Sequence, residues 1–310
     1  MANKTNHVII AGVPRSGSTS LYTYLAQHPD ICGSDVKETQ HFLPSVDGVS
    51  VPHPQQYMDH FKQYRNEKYL LEASPSYFFG GQQTAKVVFD YLGTSHIVIL
   101  LRDPINRLHS CFNVYKMVGM LPQETPFEAF IHSSDKRIER GIPIETGFYI
   151  DYLACWHAYF QDSLQILYFD DLNEAPLLLM RNLCQWLGID DTFYKNYVFT
   201  KENRRMSYKN KQFHMMARYI HTKFEPFFRR NLQLKQAVRK IYFKVNESSA
   251  DLSSIQPETY KMLQAIYEPY NRKLAKFLLE NQYPVAGWLK NDSPSYQEVG
   301  HSKTVKVAQL

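Results

Sequence analysis

Cysteine is scarce in this 310-residue chain: Cys32, Cys111, Cys155 and Cys184 are far apart and form no C-x-x-C pair. That spacing excludes a disulfide framework and a cysteine-built zinc site. No apolar run approaches the ~20 residues that a membrane-spanning helix needs. The longest, Val8–Val13 and Ile97–Leu101, are strand-sized. With 13 glycines and 16 prolines, the chain is neither collagen-like nor of low complexity. The N-terminus lacks the apolar core of a secretory signal, so the expected compartment is cytoplasmic. There is no G-x-S-x-G or H-E-x-x-H, and the histidines lack metal-ligand spacing, so hydrolase readings have no residues to carry them.

What is abundant is aromatic: 19 Phe, 22 Tyr and 3 Trp, within a 44% hydrophobic fraction. That is ample for a sizeable core and excludes global disorder. No repeat and no Gly/Ser linker divides the chain, so residues 1–310 are expected to form a single domain. The net charge of +5 hides an asymmetry. Residues 201–244 hold 13 Lys and Arg against two acids, Glu202 and Glu225, which leaves the rest of the chain acidic. Aromatics such as Phe213, Tyr219, Phe227, Phe228 and Tyr242 interleave with these bases. A solvated face, an anionic substrate, an anionic lipid surface and nucleic acid all fit such a run, and charge alone does not choose among them. The stretch around 190–255 is expected to be a basic helical insertion or lid.

Short apolar runs alternate with helical patterns. His7–Gly12, Tyr69–Glu72, His96–Leu101 and Leu164–Phe169 read as strands, and Asp30–Ser34 as a further strand region. Helices are predicted over Ser18–Gln27, over 82–92, from Pro104 onward, over Tyr149–Phe160, and over Pro176–Leu187 with Gly188 as its C-terminal cap. A last helix carries Pro257 in its first turn. Strand–helix alternation at these spacings predicts an α/β fold: a P-loop-like parallel sheet with helices on both faces.

The strongest local signal is Gly12-Val-Pro-Arg-Ser-Gly-Ser-Thr19, between a strand and a helix. It fits G-x-x-x-x-G-K-[ST] at every position but one, because Ser18 stands where a nucleotide kinase keeps Lys. Free N–H groups at a helix N-terminus still favour an anion, and a cation is present at Arg15. The strand His96–Leu101 runs into Arg102 rather than into an acid suited to Mg²⁺. These residues point to an anion neutralised by protein cations without metal. The plainer alternative is a turn whose Ser18 caps the next helix. A second signal is Arg102-Asp-Pro-Ile-Asn-Arg-Leu-His-Ser110. It sets an Arg at the end of a central strand, with Ser110 about two helical turns on.

PRSGSTSL after a strand, then Lys37-Glu38-Thr39-x-x-Phe42, then LLRDPINRLHS resembles the sulfotransferases that use 3'-phosphoadenosine 5'-phosphosulfate. The bacterial sulfotransferase-domain and heparan sulfate sulfotransferase branch is the more similar. Glu72-Ala-Ser-Pro-Ser-Tyr77, Phe169-Asp-Asp-Leu172 and Tyr267–Lys273 extend the resemblance. It implies that Arg15, Ser16, Gly17, Ser18, Thr19 and Ser20 hold the 5'-phosphosulfate, that Arg102 and Ser110 hold the 3'-phosphate, and that Lys209 covers the nucleotide. It also implies that Glu38 is the catalytic base. The residues themselves leave two alternatives: a Lys37–Glu38 surface pair, and His41 as a rival base. Arg15 stands where many members have Lys; it stays charged and suits a leaving phosphate better than proton donation. Ala73 replaces a Lys of the heparan sulfate branch.

The function so implied is transfer of a sulfuryl group from 3'-phosphoadenosine 5'-phosphosulfate, without metal, to a hydroxyl of a saccharide or other small acceptor, with an amine as the second choice. An anionic or lipid-linked glycan is the acceptor class considered. Peripheral membrane contact through 201–244 is allowed, and no nucleic acid is expected. The alternatives are a nucleotide-dependent kinase with a degenerate P-loop and a non-catalytic module binding anions or a membrane surface.

Overall fold

The computed structural model describes residues 6–43, 54–132, 143–200 and 255–290, with two short strands, Ser207–Tyr208 and Glu247–Ser248, that pair antiparallel. Lys209 and most of the basic 201–244 run lie outside the described residues.

Five parallel strands form the main sheet of the described residues: β1 (Asn6–Gly12), β2 (Ile31–Gly33), β3 (Tyr69–Ala73), β4 (His96–Leu101) and β5 (Leu164–Tyr168), in the order β2-β3-β1-β4-β5. The strands read as unbroken apolar runs because both faces are covered. On one face Ile9, Leu70, Ile97, Ile99, Leu164 and Ile166 pack against α2 (Gly81–Leu92), α4 (Tyr149–Phe160) and the end of α6 (Pro257–Glu280). On the other, Val8, Ile10, Leu71, Val98 and Leu100 pack against α1 (Ser18–Leu25) and α5 (Pro176–Leu187). The two sets alternate along each strand, as the two-residue period of a strand requires.

The helix ends follow the expected chemistry. Pro104 opens α3 (Pro104–Met117), and Asp103 caps it by accepting from the Asn106 amide at 2.8 Å. Gly188 ends α5 in the left-handed conformation. Four short helices that the sequence pattern does not reveal, Pro54–Met58, Phe127–Ile131, Phe169–Glu174 and Gly287–Lys290, complete the described helices. Each spans fewer than two helical turns, too short for a 3.6-residue period to register.

The chain leaves β1 toward β2 and leaves β4 toward β5, on opposite sides of the sheet. Neighbouring strands whose connections diverge in this way open a crevice at their C-terminal ends, where open α/β sheets bind ligands.

Candidate active site

The crevice between β1 and β4 is a cleft lined by Arg15, Gly17, Ser18, Thr19, Ser20, Tyr24, Arg102, Ser110, Phe169, Leu172 and Asn173. Seven of the residues named from the sequence thus meet in one place. Two guanidinium groups face it, and among the described residues no carboxylate lines it.

The loop after β1 is held from several sides. Val13 N donates to Leu100 O at 3.0 Å, extending the β1–β4 ladder past the last residue of β1. Arg15 adopts a left-handed backbone, φ 70°. Its carbonyl accepts from Arg102 Nη1 at 3.0 Å, and its own Nε reaches Ser110 Oγ at 3.4 Å. Ser110 therefore converges on the cleft as expected, with Arg15 as its arginine partner there. Arg102 is buried and lies 4.3 Å above the centre of the Phe169 ring, a cation–π contact that fixes the guanidinium plane. The Tyr149 hydroxyl donates to Arg102 O at 2.9 Å. Ser16 is wholly buried beneath the loop.

Gly17 occupies the position before α1 at φ 91°. Ser18 is the first helical residue, so it does not act as the cap that the alternative sequence reading allowed. No side chain caps the helix, and its first N–H groups and dipole are directed at the cleft. Gly17 is required twice: by its left-handed φ, and because a Cβ there would stand 2.8 Å from Leu172 Cδ2 and 3.2 Å from Phe169 Cδ2.

Glu38 does not line this cleft. It sits one strand over, its amide donating to Ala73 O at 2.9 Å at the end of β3, and Ala73 pairs in register with Ile10 of β1. Its side chain is half exposed and paired with Lys37, so the ion pair allowed by the sequence forms. Glu38 has φ 64° and Gln40 φ 54°, two left-handed residues in one turn. His41, the rival base, is buried, with ring contacts to Phe42 at 5.0 Å and Tyr57 at 5.2 Å.

Phe169, Leu172, Asn173 and Tyr24 were not assigned roles from the sequence. The Phe169–Leu172 run belonged to the resemblance, but only the fold shows the ring beneath Arg102. Glu72 was likewise unassigned. It is wholly buried on β3, and burial raises its carboxyl above the usual range while hydrogen bonds from Thr39, Ser74 and Tyr77 oppose that rise.

The sulfotransferase-domain family model matches residues 5–262. The chain belongs to the sulfotransferase family. It is 32% identical over 142 residues to the membrane-associated sulfotransferase kil1 of Dictyostelium discoideum, covering 43% of this chain and 29% of that protein. It is 25% identical over 310 residues to the bifunctional heparan sulfate N-deacetylase/N-sulfotransferase of Drosophila melanogaster, covering 92% of this chain and 27% of that one. The chain thus spans less than a third of the length of these relatives. The sulfotransferase structure from Alicyclobacillus acidocaldarius shares the fold, with a TM-score of 0.63 at 19% identity over 93% of this chain and 99% of that one. Among the described residues no helix is long and apolar enough to cross a membrane, and no group of three His, Cys, Asp or Glu is placed to hold a metal ion.

Proposed function

We propose that this sulfotransferase-family chain moves a sulfuryl group from 3'-phosphoadenosine 5'-phosphosulfate to a hydroxyl or amine of a glycan. The observation that carries this reading is the cleft itself: two arginines, an uncapped helix N-terminus and, among the described residues, no carboxylate, assembled from the loops after β1 and β4. The donor fits that set, since it is polyanionic at both the 5' and the 3' position. When bound, it supplies an activated sulfuryl group whose departure leaves charge on a phosphate oxygen.

The chain's own groups account for the rest. Arg15, the N–H groups of the loop and the start of α1 would hold the 5'-phosphosulfate and stabilise the charge that develops there. Arg102 and Ser110 would hold the 3'-phosphate. Arg102 is preorganised by Phe169 and by the Arg15 carbonyl, so little ordering is required on binding. The acceptor must lose a proton, and Glu38 would take it, from a turn anchored beside the end of β1. Lys37 pairs with that carboxylate and would give way to the acceptor. The glycan class is supported by similarity to the heparan sulfate relatives. We read residues 1–310 as one domain, and the basic 201–244 run as the surface that attracts an anionic acceptor.

The test is an activity assay with the labelled sulfuryl donor and a panel of glycans, N-desulfated heparin among them, read by mass spectrometry. Glu38→Gln is expected to cut kcat by ~10²–10⁴-fold with nucleotide affinity nearly unchanged, and the acceptor KM is expected to rise with salt. Activity within a few fold of wild type in Glu38→Gln would remove the base assignment.

A further inference from the structure

Glu72 interrupts a pattern. Along β3, Tyr69, Leu71 and Ala73 face one apolar core and Leu70 the other, so position 72 faces the same side as Leu70 and calls for a hydrocarbon. It holds a carboxylate with no exposed surface. No basic group forms an ion pair with it among the described residues; three hydroxyls bond one of its oxygens instead, and the buried Tyr57 hydroxyl lies close by. Ser74 Oγ and Tyr77 OH each donate to Glu72 Oε1 at 2.7 Å, and Thr39 Oγ1 donates to the same oxygen.

The same three hydroxyls receive the turn that follows Glu38. Gln40 N donates to Ser74 Oγ at 3.0 Å, His41 N to Thr39 Oγ1 at 3.3 Å, and Phe42 N to Tyr77 OH at 3.2 Å. An amide can only donate, so each hydroxyl offers it a lone pair and has one proton left to give. An ionised carboxylate accepts and never donates, and it satisfies all three hydroxyls at once. Three amides, three hydroxyls and one carboxylate oxygen thus form a directed network. Its outer end is the turn in which Glu38 and Gln40 both hold left-handed φ. Non-glycine residues keep that conformation only where the surroundings over-determine it.

We infer that Glu72 is a positioning residue for this turn: its carboxylate orients the hydroxyls of Thr39, Ser74 and Tyr77, and through them fixes the backbone that presents Glu38. The inference builds on the reading of Glu38 as the base, although the network's hold on the turn stands apart from that role. Glu72 itself is too deeply buried to meet an acceptor.

The test compares wild type, Glu72→Gln, Glu38→Gln and the double variant. Glutamine can keep an accepting oxygen toward the three hydroxyls but removes the charge, so the bonds that orient them lose their charge-assisted strength. Amide hydrogen exchange of residues 39–42 is expected to quicken by about 10-fold or more in Glu72→Gln, with residues 15–20 unchanged. In the sulfuryl-transfer assay kcat should fall by ~10–100-fold, and affinity for adenosine 3',5'-bisphosphate should stay within about 3-fold. In the Glu38→Gln background the added loss should shrink to less than about 3-fold, because the two residues act as a unit. If Glu72→Gln does not fold, Tyr77→Phe, which removes one link of the network, is read in the same way. Unchanged protection of 39–42, protection lost equally in the phosphate loop, or a kcat loss that multiplies in full in the double variant would overturn the inference. An active Glu38→Gln would instead remove the base reading, and hydrogen exchange would still decide what Glu72 holds.

Discussion

At the residue scale, the cleft is built from side chains that hold other side chains. Arg102 is held by the Phe169 ring beneath it and by the Arg15 carbonyl, which accepts a hydrogen bond from its Nη1. Gly17 is the point where these contacts meet, since Leu172 and Phe169 close over the space a Cβ would need. Gly17→Ala forces a left-handed alanine and pushes on both neighbours. The expected result is a stability loss of about 1–3 kcal/mol by denaturant unfolding, accompanied by weaker nucleotide binding as Phe169 shifts under Arg102. Wild-type stability and affinity together would show that the loop tolerates a side chain there. Gly17 was legible in the sequence through the loop motif, as were Arg15, Arg102 and Ser110. Phe169 was not, because a ring beneath a guanidinium one strand away leaves no local pattern. Glu72 was half legible: a lone acid in Tyr-Leu-Leu-Glu-Ala is conspicuous, but its hydroxyl partners come from two separate segments.

At the element scale, the five strands of the main sheet and the long helices are legible because each has a strong signal, whereas the two-residue strands Ser207–Tyr208 and Glu247–Ser248 are not. β4 is an unbroken aliphatic run after His96, α4 carries Tyr149, Tyr152, Leu153, Trp156 and Phe160 at helical spacing, and α5 ends on a left-handed glycine. The order of the strands was not legible, since periodicity shows a strand's faces but not its neighbours. β1 also carries a titratable group in its interior. His7 is buried beside Tyr57, and burial lowers its pKa from 6.5 to about 4. The unfolded chain therefore binds a proton that the folded chain refuses between those values, so the folded state loses stability as the pH falls through that window. At pH 5 the loss is about 2 kcal/mol relative to pH 7. Glu72 acts in the opposite sense, because a raised carboxyl costs stability as pH rises past its usual range. Denaturant unfolding at both pH values is expected to show His7→Gln losing less than wild type on acidification; an equal loss in both proteins would assign the acid sensitivity elsewhere.

At the scale of the whole molecule, the parallel sheet sets the β1 and β4 loops against each other and places the Glu38 turn one strand away. The cleft is therefore shared between two loops separated by about ninety residues, and the proposed base comes from a third segment. That division was anticipated from three motifs in order, but the joining contacts, Arg15 to Ser110 and Arg102 to Arg15, belong to the fold alone. The central claim is that this cradle reads both ends of a nucleotide with phosphates at the 5' and 3' positions. Isothermal titration calorimetry of the full chain with adenosine 3',5'-bisphosphate in the presence of EDTA, with adenosine 5'-phosphate as the comparison, tests it most directly. The expected result is binding that needs no divalent metal, prefers the 3'-phosphate, and weakens by roughly 10–150-fold in Arg102→Ala. Equal affinity for the two nucleotides, or no binding until Mg²⁺ is added, would contradict it.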